Sequence, residues 1–173
     1  MAGEFGIWTK ADKLHKLRMQ IKKSDFMGHV LAVDPGETTG WALLECRPDA
    51  TNLVNQGQIV SWPLEVGVPR LETLIKELSP NFVVYEAYHV YAWRLNEHKF
   101  SEVPTIQIIG ALKTLSVQRG VPYGCQTAQT GKAFFTDDRL KSMDLYVEGE
   151  RHARDALRHA CQFVTFGLKP ITG

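Results

Sequence analysis

The apolar positions along the chain change period several times, and each change marks an element. His29 to Asp34 (HVLAVD) is a β-branched apolar run closed by Pro35 and Gly36, which predicts a buried strand followed by a turn. Gly40 to Leu44 predicts a second strand. Leu53 to Trp62, where Val54, Gln56, Gln58 and Val60 alternate with the other positions and Gly57 interrupts, predicts a third. Short links between them imply an antiparallel meander. From Val68 to Leu78 the residues Leu71, Leu74, Ile75 and Leu78 recur at helical spacing until Pro80. Asn81 to Tyr85 reads as a fourth strand delivering Glu86 at its end. A second helix covers Pro104 to Gln118, with Ile108, Ala111, Leu112 and Leu115 on one side and Gly120 as its stop. Val121 to Gln126 reads as a fifth strand. Thr127 to Phe135 and Arg139 to Tyr146 read as short helices. Glu148 to Phe166 is the last helix, with Ala153, Ala156, Leu157, Ala160 and Val164 on its apolar stripe and Gly167 beyond. The order βββαβαβα predicts an α/β fold. Its single five-stranded mixed sheet is an antiparallel meander of strands 1–3 joined to parallel strands 4 and 5, flanked by helices.

The length of 173 residues suits one domain. Residues 29–168 carry the predicted elements, residues 1–28 form a basic N-terminal extension, and residues 169–173 a tail. Met1 to Gly6 has the look of a cloning remnant and is left out of fold reasoning. A hydrophobic fraction of 44% and a charged fraction of 23% exclude a disordered chain. No apolar run approaches the length of a membrane span and no signal peptide is visible, so no membrane partner is expected. Cys46, Cys125 and Cys161 are odd in number and lack CxxC spacing, which points to reduced thiols in a cytoplasmic protein. Charge is unevenly spread. Between Thr9 and Lys23 six Lys/Arg face Asp12 alone, a local balance of +5 that leaves −4 for the remainder of a chain of net charge +1. Any polyanion-binding surface is therefore local. The basic segment reads equally as a solvated helix and as an arm that touches DNA.

Candidate chemistry lies on three distant elements. Asp34 ends the first strand, Glu86 ends the fourth, and Asp155 sits in an Ala-flanked stretch of the last helix. Carboxylate oxygens are the hard ligands that Mg²⁺ and Mn²⁺ prefer. His152 precedes Asp155 by three residues, so both share one helix face. Singly each has a plainer reading: a turn-forming Asp before Pro-Gly, a surface Glu, an Asp paired with Arg151, Arg154 or Arg158 on an exposed helix, a surface His. Together they offer four metal ligands in one cleft.

These residues stand in recognisable surroundings. VLAVDPGETTGWALL (Val30 to Leu44), VVYEAY (Val83 to Tyr88) and HARDALRHA (His152 to Ala160) occur in order and resemble the three motifs of the RuvC group of Holliday junction resolvases, in the ribonuclease H-like superfamily. The resemblance covers roughly Val30 to Val164. It implies a ribonuclease H-like fold and a metal-dependent endonuclease that resolves four-way DNA junctions by paired nicks. Asp34, Glu86, His152 and Asp155 would then be the catalytic, metal-binding set for two Mg²⁺ or Mn²⁺ ions, with His152 standing where many relatives place another Asp.

The same resemblance nominates Lys132, in TAQTGK, and Lys141, in DDRLKSMD, as DNA contacts. Lys113 is a weaker candidate. The loop AYHVYAWRLNEHKF interleaves rings with cations, which suits stacking on unpaired bases beside phosphates. Tyr88 or His89 is the expected wedge there, and Arg94 a phosphate contact. Paired nicks in a two-fold symmetric junction imply a homodimer. By family likeness the Pro104–Gln118 helix, with Ile106 and Ile109 off its main stripe, is the expected contributor to its interface. Competing readings are a same-fold nuclease acting on flaps, forks or hybrids, an actin-like phosphotransferase suggested by the DxGxT-like segment Asp34 to Gly40, and a junction-binding protein without catalysis.

Overall fold

The computed structural model describes residues 26–88 and 103–168. Strands β1 (Gly28–Asp34), β2 (Thr38–Cys46) and β3 (Thr51–Val60) form the antiparallel meander; β4 (Phe82–Ala87) runs parallel to β1, and β5 (Tyr123–Thr127) parallel to β4. The sheet order is β3-β2-β1-β4-β5, the mixed five-stranded sheet expected. Helices α1 (Leu64–Leu78) and α2 (Pro104–Gln118) cover one face. The other face is covered by α5 (Arg151–Phe166), with α3 (Ala128–Phe134) and α4 (Asp137–Ser142) beside it.

Strand pleating explains both layers. Successive side chains point to opposite faces, so Leu31, Val33, Val83 and Tyr85 enter the core beneath α1 and α2, while Val30, Ala32 and Val84 enter the core beneath α5. The same parity carries Asp34 and Glu86 to the α5 face. Every member of the predicted α5 stripe is buried, because the Ala residues let the helix lie close to the sheet.

The boundaries differ from the sequence reading in physical ways. Helix α1 begins four residues earlier than Val68, with Pro69 inside it and Gly67 packed so close to Ser61 that a β-carbon would fall 1.8 Å from the Ser61 carbonyl oxygen. Strand β3 continues through Gly57, whose missing side chain leaves room for the Trp41 ring; a register shift opposite Leu43 and Leu44 breaks the alternation instead. Helix α4 starts at Asp137, where Thr136 caps it by accepting from the Arg139 backbone N–H. Cys46 and Cys161 are buried and Cys125 is half-buried, and all three are free thiols. Burial pushes Cys46 up to about 11 and Cys161 to about 12, so neither is a nucleophile near neutral pH. Among the described residues no helix is long and apolar enough to cross a membrane.

Candidate active site

Asp34 closes β1 at the mouth of a turn fixed by two buried hydroxyls. Ser61 Oγ donates to the Gly36 carbonyl at 2.7 Å and lies 2.6 Å from Thr39 Oγ1. The polar stretch after Asp34 is thus a rigid corner. Helix α5 comes in over it because Gly40, on β2, leaves space for the helix backbone, and Gln58 Oε1 on β3 accepts the His152 backbone N–H at 3.0 Å.

The result is a shared cleft. His152 Nδ1 lies 2.8 Å from Asp34 Oδ2, joining the first strand to the last helix. Lys132 Nζ, on α3, is 3.2 Å from Asp155 Oδ2 and 3.9 Å from Glu86 Oε2. Arg158 donates to the other oxygen of Asp155, to Asp137, and through Nε to the Phe135 carbonyl at 2.9 Å. Asp155 is only 4% exposed, so this is not the solvated helix pair of the plainer reading.

Electrostatics ties the three acids together. The Asp34 carboxyl is held above its ordinary value near 3.8, first by burial and further by the charges of Glu86 and Asp155; the hydrogen bond and charge of His152 oppose the rise without cancelling it. Three carboxylates and an imidazole in a poorly solvated cleft are a donor set suited to Mg²⁺ or Mn²⁺, since a divalent cation relieves their repulsion. Among the described residues no three His, Cys, Asp or Glu side chains stand in a metal-holding cluster as they are; the carboxylates are turned onto Lys132, Arg158 and two histidines. The residues fit the ion in chemistry and require side-chain rotation to surround it.

Other nominated residues are spread more widely. Lys141 sits on α4 with Nζ 4.8 Å from the Tyr146 ring, and Lys113 lies on the opposite layer, 5.6 Å from the Tyr85 ring. Neither contacts the acids. Tyr88 is half-buried against the core beneath α1 and α2, and His89 and Arg94 lie outside the described residues. Ile109 requires correction: it is 9% exposed and belongs to that same core, because the stripe of α2 is wider than the i, i+3, i+4 spacing suggested, whereas Ile106 is 48% exposed.

Sequence reasoning missed four residues. His159 is fully buried, with Nε2 2.9 Å from Glu86 Oε2 and Nδ1 2.9 Å from Gln126 Oε1. Arg158 braces Asp155, and Gly131 lies against the His159 ring. One signal was available: His152, Asp155 and His159 follow the i, i+3, i+7 spacing of one helix face. Gln126 emerges only through its pairing with Glu86 in the β4–β5 ladder.

The mixed five-stranded sheet β3-β2-β1-β4-β5 flanked by helices is the ribonuclease H-like fold of solved RuvC-type resolvases. The chain is similar to Thermus thermophilus RuvC in complex with a Holliday junction substrate: TM-score 0.61, 18% identity, 80% of this chain and 94% of that one. The Fowlpox virus resolvase with Holliday junction DNA matches with TM-score 0.55 at 10% identity, covering 78% of this chain and 97% of that one. The yeast mitochondrial Holliday junction resolvase also gives 0.55, at 11% identity, over 82% and 79%. No protein-family model matches the sequence, and no curated protein matches it either.

Proposed function

We propose that the protein is a divalent-metal-dependent endonuclease that resolves four-way DNA junctions by paired nicks. The observation that carries this reading is the meeting of Asp34, Glu86, His152 and Asp155, from β1, β4 and α5, in one cleft. The solved structures of the same fold, two of them described with junction DNA, supply the substrate class. Asp34, Glu86, Asp155 and His152 would hold two Mg²⁺ or Mn²⁺ ions. Such ions, when bound, supply an activated water and stabilise the leaving oxygen of a phosphodiester.

The chain's own groups have defined tasks in this reading. His152 keeps the Asp34 carboxylate turned toward α5. Arg158 fixes one oxygen of Asp155 and leaves the other beside Lys132. Lys132, 41% exposed at its side chain, stands at the rim and offers its ammonium to a phosphate oxygen. Lys141, and Arg94 and His89 in the sequence after β4, are further backbone or base contacts, with Tyr88 or His89 as the wedge. A homodimer would set two such sites across a symmetric junction, with Ile106 on the exposed side of α2 as a contact.

The test is cleavage of a labelled four-way junction by the wild type and Asp34→Asn in Mg²⁺ and in Mn²⁺, beside matched flap, fork and hybrid substrates. The expected result is symmetric nicking of the junction by the wild type alone, with junction binding kept by Asp34→Asn. Equal cutting of flaps, forks or hybrids transfers the reading to another substrate of the same fold.

A further inference from the structure

The functional reading above treats Glu86 as a ligand; resting on that reading, we infer that His159 is its positioning residue, gripping one carboxylate oxygen so that the other faces the cleft. Three observations carry this. The His159 ring is 0% exposed, and its Nε2 lies 2.9 Å from Glu86 Oε2. A carboxylate only accepts, so Nε2 must carry the hydrogen. Both of these neighbours, His159 and Lys132, engage Glu86 through the same oxygen, Oε2.

Gln126 secures that arrangement. Its Oε1 lies 2.9 Å from His159 Nδ1, while its buried Nε2 has no partner. With the carbonyl toward Nδ1, the ring donates from both nitrogens. With the amide turned over, its N–H donates to Nδ1 and the orphaned amide nitrogen is satisfied. In either arrangement the ring donates from Nε2 to Glu86, so Gln126 and Glu86 together fix the ring between β5 and β4.

Gly131 closes the third side. A β-carbon there would fall 2.9 Å from both Nδ1 and Cε1 of the ring, so the α3 backbone can approach only as glycine. Lys132, the next residue, reaches the same Glu86 oxygen at 3.9 Å. The TGK segment therefore seats the histidine and supplies the cation beside it. A fully buried polar ring in an Ala-rich helix face would be an expensive filler; among the described residues its hydrogen-bond partners are a cleft carboxylate and the amide that orients it.

The experiment measures Mn²⁺ uptake by the chelator-stripped full chain using electron paramagnetic resonance of the free ion. Wild type, Glu86→Gln, His159→Leu and His159→Gln are compared, each with its melting curve. His159→Leu should weaken Mn²⁺ binding by about 10- to 100-fold. His159→Gln, which keeps an N–H near the Nε2 position, should recover most of it even where its thermal stability stays low. In the wild type, the ¹⁵N signal of His159 Nε2 should move on Mg²⁺ titration with the midpoint of metal binding, a readout that needs no variant to fold. Wild-type uptake matched by His159→Leu, or an Nε2 signal indifferent to Mg²⁺, overturns the positioning role while leaving the nuclease reading in place. A wild type that neither takes up Mn²⁺ nor nicks a junction overturns both.

Discussion

The carbonyl of His152 lies 2.0 Å from the point that a β-carbon on Gly40 would occupy. The contact is backbone against backbone, so no rotamer change relieves it. Gly40→Ala must therefore push the start of α5 off β2 and carry His152 and Asp155 away from Asp34. Overpacking of this kind costs about 1 to 3 kcal/mol, and junction cleavage should be lost with it. Gly57→Ala is the control, because its β-carbon would meet the Trp41 side chain at 3.2 Å, a neighbour able to yield by a few tenths of an ångström. Urea unfolding of both variants checks the ranking; equal losses would show that the Gly40 contact does not set the helix position.

Asp34→Asn should stabilise the metal-free protein. Its carboxyl is raised by burial and by Glu86 and Asp155, so between the unfolded value near 3.8 and the raised folded value the native state binds the extra proton. Stability contributed through this group accordingly falls as pH rises through the folded value, and the penalty is fully present above it. The Asn variant removes the penalty, although it weakens the partnership with His152. A 173-residue domain gains about 2 to 4 °C in Tm per kcal/mol recovered. Melting in chelator should show Asp34→Asn above the wild type at pH 7, with the gap closing as pH approaches 4. A lower Tm at pH 7 would mean that the His152 hydrogen bond outweighs the repulsion.

How much of this was legible in the chain depends on where each signal resides. The sheet and the α5 stripe follow from periods of two and of three to four, which the sequence displays directly, and the three acids sit where those periods place them. The first turn of α1 was not legible, because residues 64–67 lack the apolar stripe and are held helical by tertiary packing of Gly67 against Ser61. For His159 the chain offers spacing alone, since the i+7 step from His152 puts the second His of HARDALRHA on the same face as the first. Its meaning needed the partner strand, as only the β4–β5 ladder sets Gln126 beside Glu86. Arg158 was visible only as a generic ion-pair candidate, because the Phe135 carbonyl and Asp137 that hold it come from the end of α3 and the start of α4.

Arg158 should matter more to stability than its position beside two acids suggests. Its side chain is 12% exposed and that of Asp155 5%, whereas the side chain of Asp137 is 49% exposed. Arg158→Met leaves Asp155 Oδ1 without its partner, with Lys132 alone on Oδ2, and frees the Phe135 carbonyl, a loss of up to about 3 kcal/mol by analogy with broken buried pairs. Asp137→Asn removes only the solvent-facing arm and should cost less than about 1 kcal/mol. Denaturant midpoints of the two single variants measure the asymmetry. Comparable losses would place the weight of the guanidinium on α4 instead of on Asp155.

His152 sets the expected metal preference. Imidazole is a softer donor than carboxylate and contributes no negative charge when neutral, so a site built with it suits Mn²⁺ better than Mg²⁺. The wild type should cut junctions in Mn²⁺ at least as well as in Mg²⁺, and His152→Asp should shift the ratio toward Mg²⁺. The variant also carries an observable that does not depend on turnover. With chelator present, a fourth carboxylate takes the place of a ring that lies 2.8 Å from Asp34 Oδ2, beside a carboxyl already lifted by Glu86 and Asp155, and Tm should fall below the wild type. Millimolar Mg²⁺ should raise the variant's Tm by more than it raises the wild type's, because the divalent ion neutralises the added charge and binding to the native state stabilises it by linkage. Activity ratios and Mg²⁺-induced Tm shifts that are the same in both proteins would remove His152 from the metal set and leave it as a hydrogen-bonding support for Asp34.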